Sequence, residues 1–423
     1  MTEKIKRLLE CEKIEHYLIK EQIEESEELY FIKKRLDQKR SKRTHKCTLT
    51  LYRDHISDGI RMRGSAQVLI FPDMTEDEML CKLREGYYAA SFVNDAHYDL
   101  AAPTDDGGVE KSDEISLSDT AAEYARALFL HDGESSAFIN SAEIFCTKKS
   151  VRITNSCGVD VGYTQYRTDG EIVVACKDGE DVEMFDYFSY EGMQSECLAQ
   201  RVKKALTEVK ARSQAQRALR SGVYDIIIEG VCVREVLGYY LWKASAANIY
   251  TKYSECKIGD MMQGEGAKFP LNITASATVP YSDEGIKMKD MPLVSDGRLS
   301  MICGGVKFCS YLGIAPSGEY EKLTAELGRV SLAELKSTPH LHIVSFSDFQ
   351  FDPLDGYFGG EIRLAYLYDG ESTSIVTGGS VSGNIGEVRD SFEMSREGYS
   401  GYDYSGPLAL KIKGVSVSGS AEK

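Results

Sequence analysis

A lone carboxylate inside an apolar, aromatic segment is the residue of this chain best placed to do chemistry. The segment Val231-Cys232-Val233-Arg234-Glu235-Val236-Leu237-Gly238-Tyr239-Tyr240-Leu241-Trp242 follows VYDIIIEG, a near-continuous apolar run that reads as a buried strand. Glu235 has an arginine before it and a tyrosine four places on. One reading makes this carboxylate part of an active site. Helical spacing offers a second reading. Val233, Leu237 and Leu241 would share a core face, with Glu235 and Tyr239 on an exposed or cleft-facing one. Arg234 and Glu235 leave the helix about 100° apart, so adjacency alone does not pair them.

Other residues with chemical potential are scattered. His340 and His342, in PHLHIVSF, are two apart on a strand and project from one face. Two imidazoles so aimed could hold a metal, given a third ligand from elsewhere; otherwise they are polar residues facing water or a cleft. The 11 cysteines include no CxxC pair, and Cys303 and Cys309, flanking GGVKF, lack the second pair a zinc site needs. They read as reduced thiols. Residues 32–46, IKKRLDQKRSKRTHK, hold eight lysines and arginines, a conceivable nucleic-acid patch. Their strand-like alternation and the net charge of −16 favour a solvated strand and turn instead, and argue against nucleic acid or anionic membrane as partners. No GxxxxGK[ST], GxGxxG after a strand, or GxSxG is present.

The elements that must position these residues divide in two. A chain of 423 residues is long for one core, so two domains of about 200 residues are expected. Residues 1–212 read as an α+β domain of helices against antiparallel sheets. A helix at 1–11 precedes the strands HYLIKEQI, ELYFIKKRL, HKCTLTLYRD and GSAQVLIF. Thr75 and Glu78 then form the sequence pattern of a capping box and open the helix EDEMLCKLREGYYAASF. After a loop at 101–114, helix, strands and helix come again, a repeat of plan without matching residues. Residues 213–222 are short and polar, as a hinge would be. Residues 222–423 read as a mostly antiparallel β domain punctuated by SDGR, SGE, DPLDG, YDGE and TGGSVSGN, with helices only at 231–243 and 321–336. The charged N-terminus MTEKIKRLLECEKIEH lacks the apolar core of a signal peptide, and no apolar run is long enough to span a bilayer. A cytoplasmic location is expected.

The ordered series SGVYDIIIEG, REVLGYYL, SDGRL, SYLGIAPSGE, FDPLDGYFGGEIRLAYLYDGE, VSGN and LKIKGVSVSG resembles the TldD/PmbA family, the so-called modulators of DNA gyrase, understood as metallopeptidase subunits. In the first half, RGSAQVLIFPDMTEDEML and GYYAASFVNDAHYDL keep that family's order more thinly. The resemblance implies His-Glu-x-x-x-His on the helix and a cysteine near the C-terminus as zinc ligands. In this chain the motif positions hold Arg234, Glu235, Gly238 and Tyr239, and the last cysteine is Cys309. The resemblance therefore implies a non-catalytic, PmbA/TldE-type subunit. Its partner would be a TldD-type catalytic chain carrying the zinc, in a cytoplasmic peptidase acting on small or unfolded peptides. The alternatives are a homodimeric peptide-binding or regulatory module, and an active peptidase with a non-standard metal site. The strand around His340–Phe346 and the hairpin 362–377 are the edges expected to grip an extended peptide.

Overall fold

The computed structural model describes residues 1–104, 107–110, 112–133 and 136–420, so residues 105, 106 and 111 of the 101–114 loop lie outside the described residues. The first half contains α1 (Thr2–Cys11), β1 (His16–Ile32), β2 (Arg35–Ser57), β3 (Ile60–Ile70), α2 (Glu76–Ala90) and β4 (Asp95–Ala96). It continues with α3 (Leu117–Phe129), β5 (Ala137–Asn155), β6 (Asp160–Cys176), β7 (Val182–Glu191) and α4 (Ser195–Ser213). All seven strands join one antiparallel sheet, in the order β4-β3-β2-β1-β5-β6-β7. The two meanders run outward from a shared β1–β5 seam, where Leu18 faces Asn155 and Ile32 faces Ser141. Over the first meander, Ile5, Leu9, Met79 and Leu83 of α1 and α2 bury Ile19, Leu49 and Leu51. Over the second, Tyr124, Leu128, Leu198 and Val202 of α3 and α4 bury Ile144, Ile172 and Val174. Helix, meander, helix therefore occurs twice on one sheet, each pass with its own core.

HYLIKEQI and ELYFI, expected as separate strands, are parts of the single strand β1, and the turn falls at Lys33–Lys34. The physical reason is charge. The acidic EESEE of β1 lies beside the basic run of β2, with Glu25 opposite Arg43 and Glu28 opposite Arg40. Arg43 Nε is 3.0 Å from Glu25, Arg40 Nε 2.6 Å from Glu28 and Lys39 Nζ 3.3 Å from Glu27. Cross-strand pairs of opposite charge stabilise a ladder that neither strand would form alone.

The second half opens with β8 (Gly222–Glu229), α5 (Val231–Lys243), α6 (Ala246–Tyr250), β9 (Ile273–Ser276), β10 (Met291–Ser295) and β11 (Arg298–Leu299). Next come α7 (Val306–Leu312), β12 (Lys322–Ala325), α8 (Leu332–Leu335), β13 (His340–Asp352), β14 (Tyr357–Tyr368), β15 (Thr373–Val376) and β16 (Ser380–Asn384). The chain ends with β17 (Glu393–Met394), β18 (Gly398–Ser400), β19 (Tyr404–Pro407) and β20 (Ala409–Ser418). One sheet has the order β11-β10-β9-β12-β19-β18; the other runs β13-β8-β20-β16-β14 and closes on itself through β13–β14. Pairing is antiparallel except for β8–β13 and β12–β19. A single core fills the space between the two sheets and holds α5. The segment 321–336, expected as a helix, is a strand and then one helical turn. Leu323 and Ala325 are buried at a period of two, and their backbone is claimed by β9 and β19 on either side. SDGR makes the expected hairpin turn, with Asp296 and Gly297 at φ 48° and 74°. Among the described residues no helix is long and apolar enough to cross a membrane.

At α2 the anticipated capping box is present. Thr75 Oγ1 accepts from the Glu78 N–H at 3.3 Å, and Glu78 Oε2 accepts from the Thr75 N–H at 2.7 Å. Thr75→Ala removes one acceptor from the exposed helix end and should destabilise the protein by about 1 kcal/mol, read as a lower midpoint in denaturant unfolding at unchanged slope.

Candidate functional site

Gly230 turns the chain from β8 into α5. Its φ of 58° and ψ of −117° suit a residue without Cβ, and its N–H donates to the Leu408 carbonyl at 2.9 Å. From there Val233, Val236, Leu237 and Tyr240 are fully buried, each worth about 1.5–3 kcal/mol relative to exposure. Leu241, expected on this face, is only half-buried, and Val236 and Tyr240 take the space. With that row fixed, Arg234 points toward the chain's late segment. Its Nε lies 2.9 Å from Asp403 Oδ2, an ion pair by distance whose N–H is not aimed for a hydrogen bond. Nη2 donates to the Glu321 carbonyl at 3.1 Å, and Nη1 lies 3.5 Å from Glu235 Oε1. A Cβ on Gly238 would sit 3.4 Å from Nη1, at van der Waals contact with the guanidinium. Tyr239 goes elsewhere. Its ring meets Phe351 edge-on at 5.9 Å beside Gly356, and Lys243 Nζ stands 5.3 Å from the ring centre. Arg234 and Tyr239 thus share no contact.

The Asp403 segment is held from the first half of the chain. Arg167 stacks its guanidinium 4.0 Å from the Tyr402 ring, and Gln165 donates to the Tyr402 hydroxyl at 3.4 Å. Arg201, paired to Asp186 through two contacts of 2.7 Å, donates to the Tyr399 hydroxyl at 3.2 Å. Between the first sheet and the second half lies a cleft of about 740 Å³, bounded by Lys149, Arg167, Asp283, Lys307, Glu321 and Tyr402 among others. Helix α5 borders this cleft only through what Arg234 touches, since neither Glu235 nor Tyr239 lines it. Asp403, Glu321 and Arg167 were not singled out in the sequence, and no local pattern marks them.

His340 and His342 are both buried, and each is committed. His340 Nδ1 lies 2.7 Å from the Thr338 carbonyl; His342 Nε2 lies 2.7 Å from Glu229 Oε1. Burial lowers both imidazoles below the usual value, and in His342 the Glu229 carboxylate opposes that fall. Glu229 also accepts from Lys204 of α4 at 2.7 Å, and Lys204 lies 3.7 Å from Glu208. This charge cluster joins the two halves of the chain, and its members were hidden in the sequence because Lys204 and Glu208 look like an ordinary surface pair. Leu341 to Ile343 cannot grip a peptide through the backbone, because β8 and β14 pair with them on both sides. Among the described residues no group of three or more His, Cys, Asp or Glu side chains is placed to hold a metal ion.

Residues 221–419 match the sequence model of the PmbA/TldA metallopeptidase C-terminal domain. The whole chain resembles TldE from Thermococcus kodakarensis, with 13% identity, a TM-score of 0.78, and coverage of 98% of this chain and 100% of that one. A putative modulator of DNA gyrase from Thermotoga maritima is similar at 14% identity and TM-score 0.78, covering 99% and 100%. Another from Bacteroides thetaiotaomicron shows 15% identity and TM-score 0.76, covering 99% and 98%. No curated protein matches by sequence. The chain is thus similar to the TldD/PmbA family, by sequence over residues 221–419 and by fold over nearly its whole length.

The charge cluster sets a pH dependence. Burial raises the Glu208 carboxyl to about 7, reinforced by Glu229 and Asp186 and opposed by Lys204. A carboxyl raised on folding adds stability below its unfolded value of 4.5, and that stability is lost as pH rises through 7. Glu208→Gln should therefore match the wild type near pH 4.5 and be more stable at pH 8, the gap opening between those limits in thermal unfolding.

Proposed function

We propose that this chain is the non-catalytic subunit of a heteromeric metallopeptidase, holding peptide and partner while a second chain supplies the hydrolytic centre. The observation that carries this reading is the guanidinium of Arg234, ion-paired with Asp403 at the position where the family resemblance expects a metal ligand. A zinc ion does not fit these residues. A guanidinium offers no lone pair and repels a cation, and burial raises the Tyr239 phenol above its ordinary value, away from the ionised form that would bind. Asp403 could ligate, but it is occupied by Arg234, and Tyr239 is turned toward Phe351. Glu235 then has no acidified water to deprotonate. Support also comes from the likeness to a chain named TldE, which fits a TldE-type role beside a TldD-type catalytic chain. The cleft against the first sheet is large enough for a short extended peptide, whose grip falls to this cleft rather than to the β13 edge.

The test is reconstitution. Purified alone, the chain should contain less than stoichiometric zinc and cleave no peptide. Co-expressed with a relative bearing an intact His-Glu-x-x-x-His helix, it should co-purify and support chelator-sensitive cleavage, which Glu235→Gln in this chain leaves intact. Stoichiometric zinc in the isolated chain, or loss of cleavage in Glu235→Gln, would overturn the proposal. Recovery only with itself would favour the homodimeric module instead.

A further inference from the structure

Far from Arg234, three more arginines gather where the two halves of the chain meet. Arg212 comes from the last turn of α4, Arg217 from the 213–222 connection and Arg363 from β14, and all three line a pocket of about 380 Å³. The connection is docked in place: the Gln216 N–H donates to Ile375 at 3.0 Å, and its carbonyl accepts from the Thr377 N–H at 3.1 Å. Arg212 is oriented by a hydrogen bond from Nη1 to the Glu183 carbonyl. The Thr377-Gly378-Gly379-Ser380 loop forms one wall against the end of β20. A Cβ on Gly379 would come within 2.5 Å of the Ser418 carbonyl, so only glycine allows this approach.

Some exposed arginines of this chain are tied to carboxylates, as Arg43 is to Glu25 and Arg152 to Asp160, while others, such as Arg298 and Arg396, donate to backbone carbonyls. None of Arg212, Arg217 and Arg363 forms an ion pair among the described residues. Glu180 and Glu361 also line the pocket, and Glu361 accepts from Ser347 Oγ at 3.0 Å instead. Three guanidinium groups against two carboxylates leave the pocket net positive within a chain of charge −16. Burial and then the neighbouring Arg363 charge lower the proton affinity of Arg212, and the Glu180 carboxylate opposes that fall. The Thr377 and Gly378 N–H groups are spent on Gln216 and Ile362, so recognition rests on side chains.

We infer that this pocket binds a small oxyanion, a phosphate or carboxylate group, between Arg212, Arg217 and Arg363. Guanidinium forks match the paired oxygens of both groups. The volume admits the anion with a modest organic remainder and excludes a folded partner. Because Arg212 belongs to the first half and Arg363 to the second, the bound anion links them.

Isothermal titration of the full chain with sodium phosphate and with sodium acetate, at ionic strength matched by sodium chloride, tests this. At least one oxyanion should bind saturably, with phosphate tighter if the natural group is a phosphate and acetate tighter if it is a carboxylate. Arg217→Gln and Arg363→Gln, at exposed positions that tolerate substitution, should each weaken binding by about tenfold or more. Arg220→Gln, in the same connection but outside the pocket, should leave it unchanged. Absence of saturable binding by both anions, or equal affinity in all three variants, would overturn the inference.

Discussion

The burial of one row of side chains, Val233, Val236, Leu237 and Tyr240, fixes the rotation of α5 between its two sheets. Everything at the candidate site depends on that rotation. With the row locked, position 234 must face the late segment and position 239 must face the β13–β14 turn. The core tolerates a cost to keep this arrangement, because the Tyr240 hydroxyl is buried without a hydrogen-bond partner, a penalty of about 1–3 kcal/mol. The scaffold therefore presents residue 234 regardless of its type. The chemistry of the site rests on side-chain identity and not on a rearranged backbone.

Arg234 has a mechanical role. It ties α5 to Asp403 and to the Glu321 carbonyl, and Tyr402 and Tyr399 tie the same segment to Arg167 and Arg201 of the first half. Each link is modest alone, since partly exposed ion pairs contribute about 0–1 kcal/mol. Acting on one short segment, they restrict it from both sides. A cation at position 234 thus cross-links the helix and the late loop.

Much of the fold was legible in the sequence, for identifiable reasons. The capping box at Thr75, the Asp-Gly turn at 296–297 and the helix at 231–243 are local patterns, and local patterns survive into the fold. The repeat of plan in the first half was legible too, though its placement on one sheet was not, because the β1–β5 seam joins residues more than a hundred apart. Errors arose where tertiary partners decide. Residues 322–325 have helix-forming composition, yet two neighbouring strands claim their backbone. The acidic run of β1 looked like a break until the basic run of β2 was laid beside it. At the site, Arg234, Glu235 and Tyr239 were identified by position. Their partners Asp403, Glu321 and Phe351 are remote in sequence and carry no motif.

Charge supplies a last step. In a chain with 66 acidic and 50 basic residues, a cation should seldom lack a carboxylate neighbour. In the β2 run this holds for Arg40 and Arg43, matched by Glu28 and Glu25 of β1. Arg234 obeys it through Asp403. Lys204 obeys it through Glu229, close to two buried imidazoles whose charged forms burial disfavours. Arg212, Arg217 and Arg363 differ from these in lining one concavity together with no ion pair among the described residues. The Arg363 charge disfavours the charged form of Arg212, and an anion bound between them would offset that repulsion.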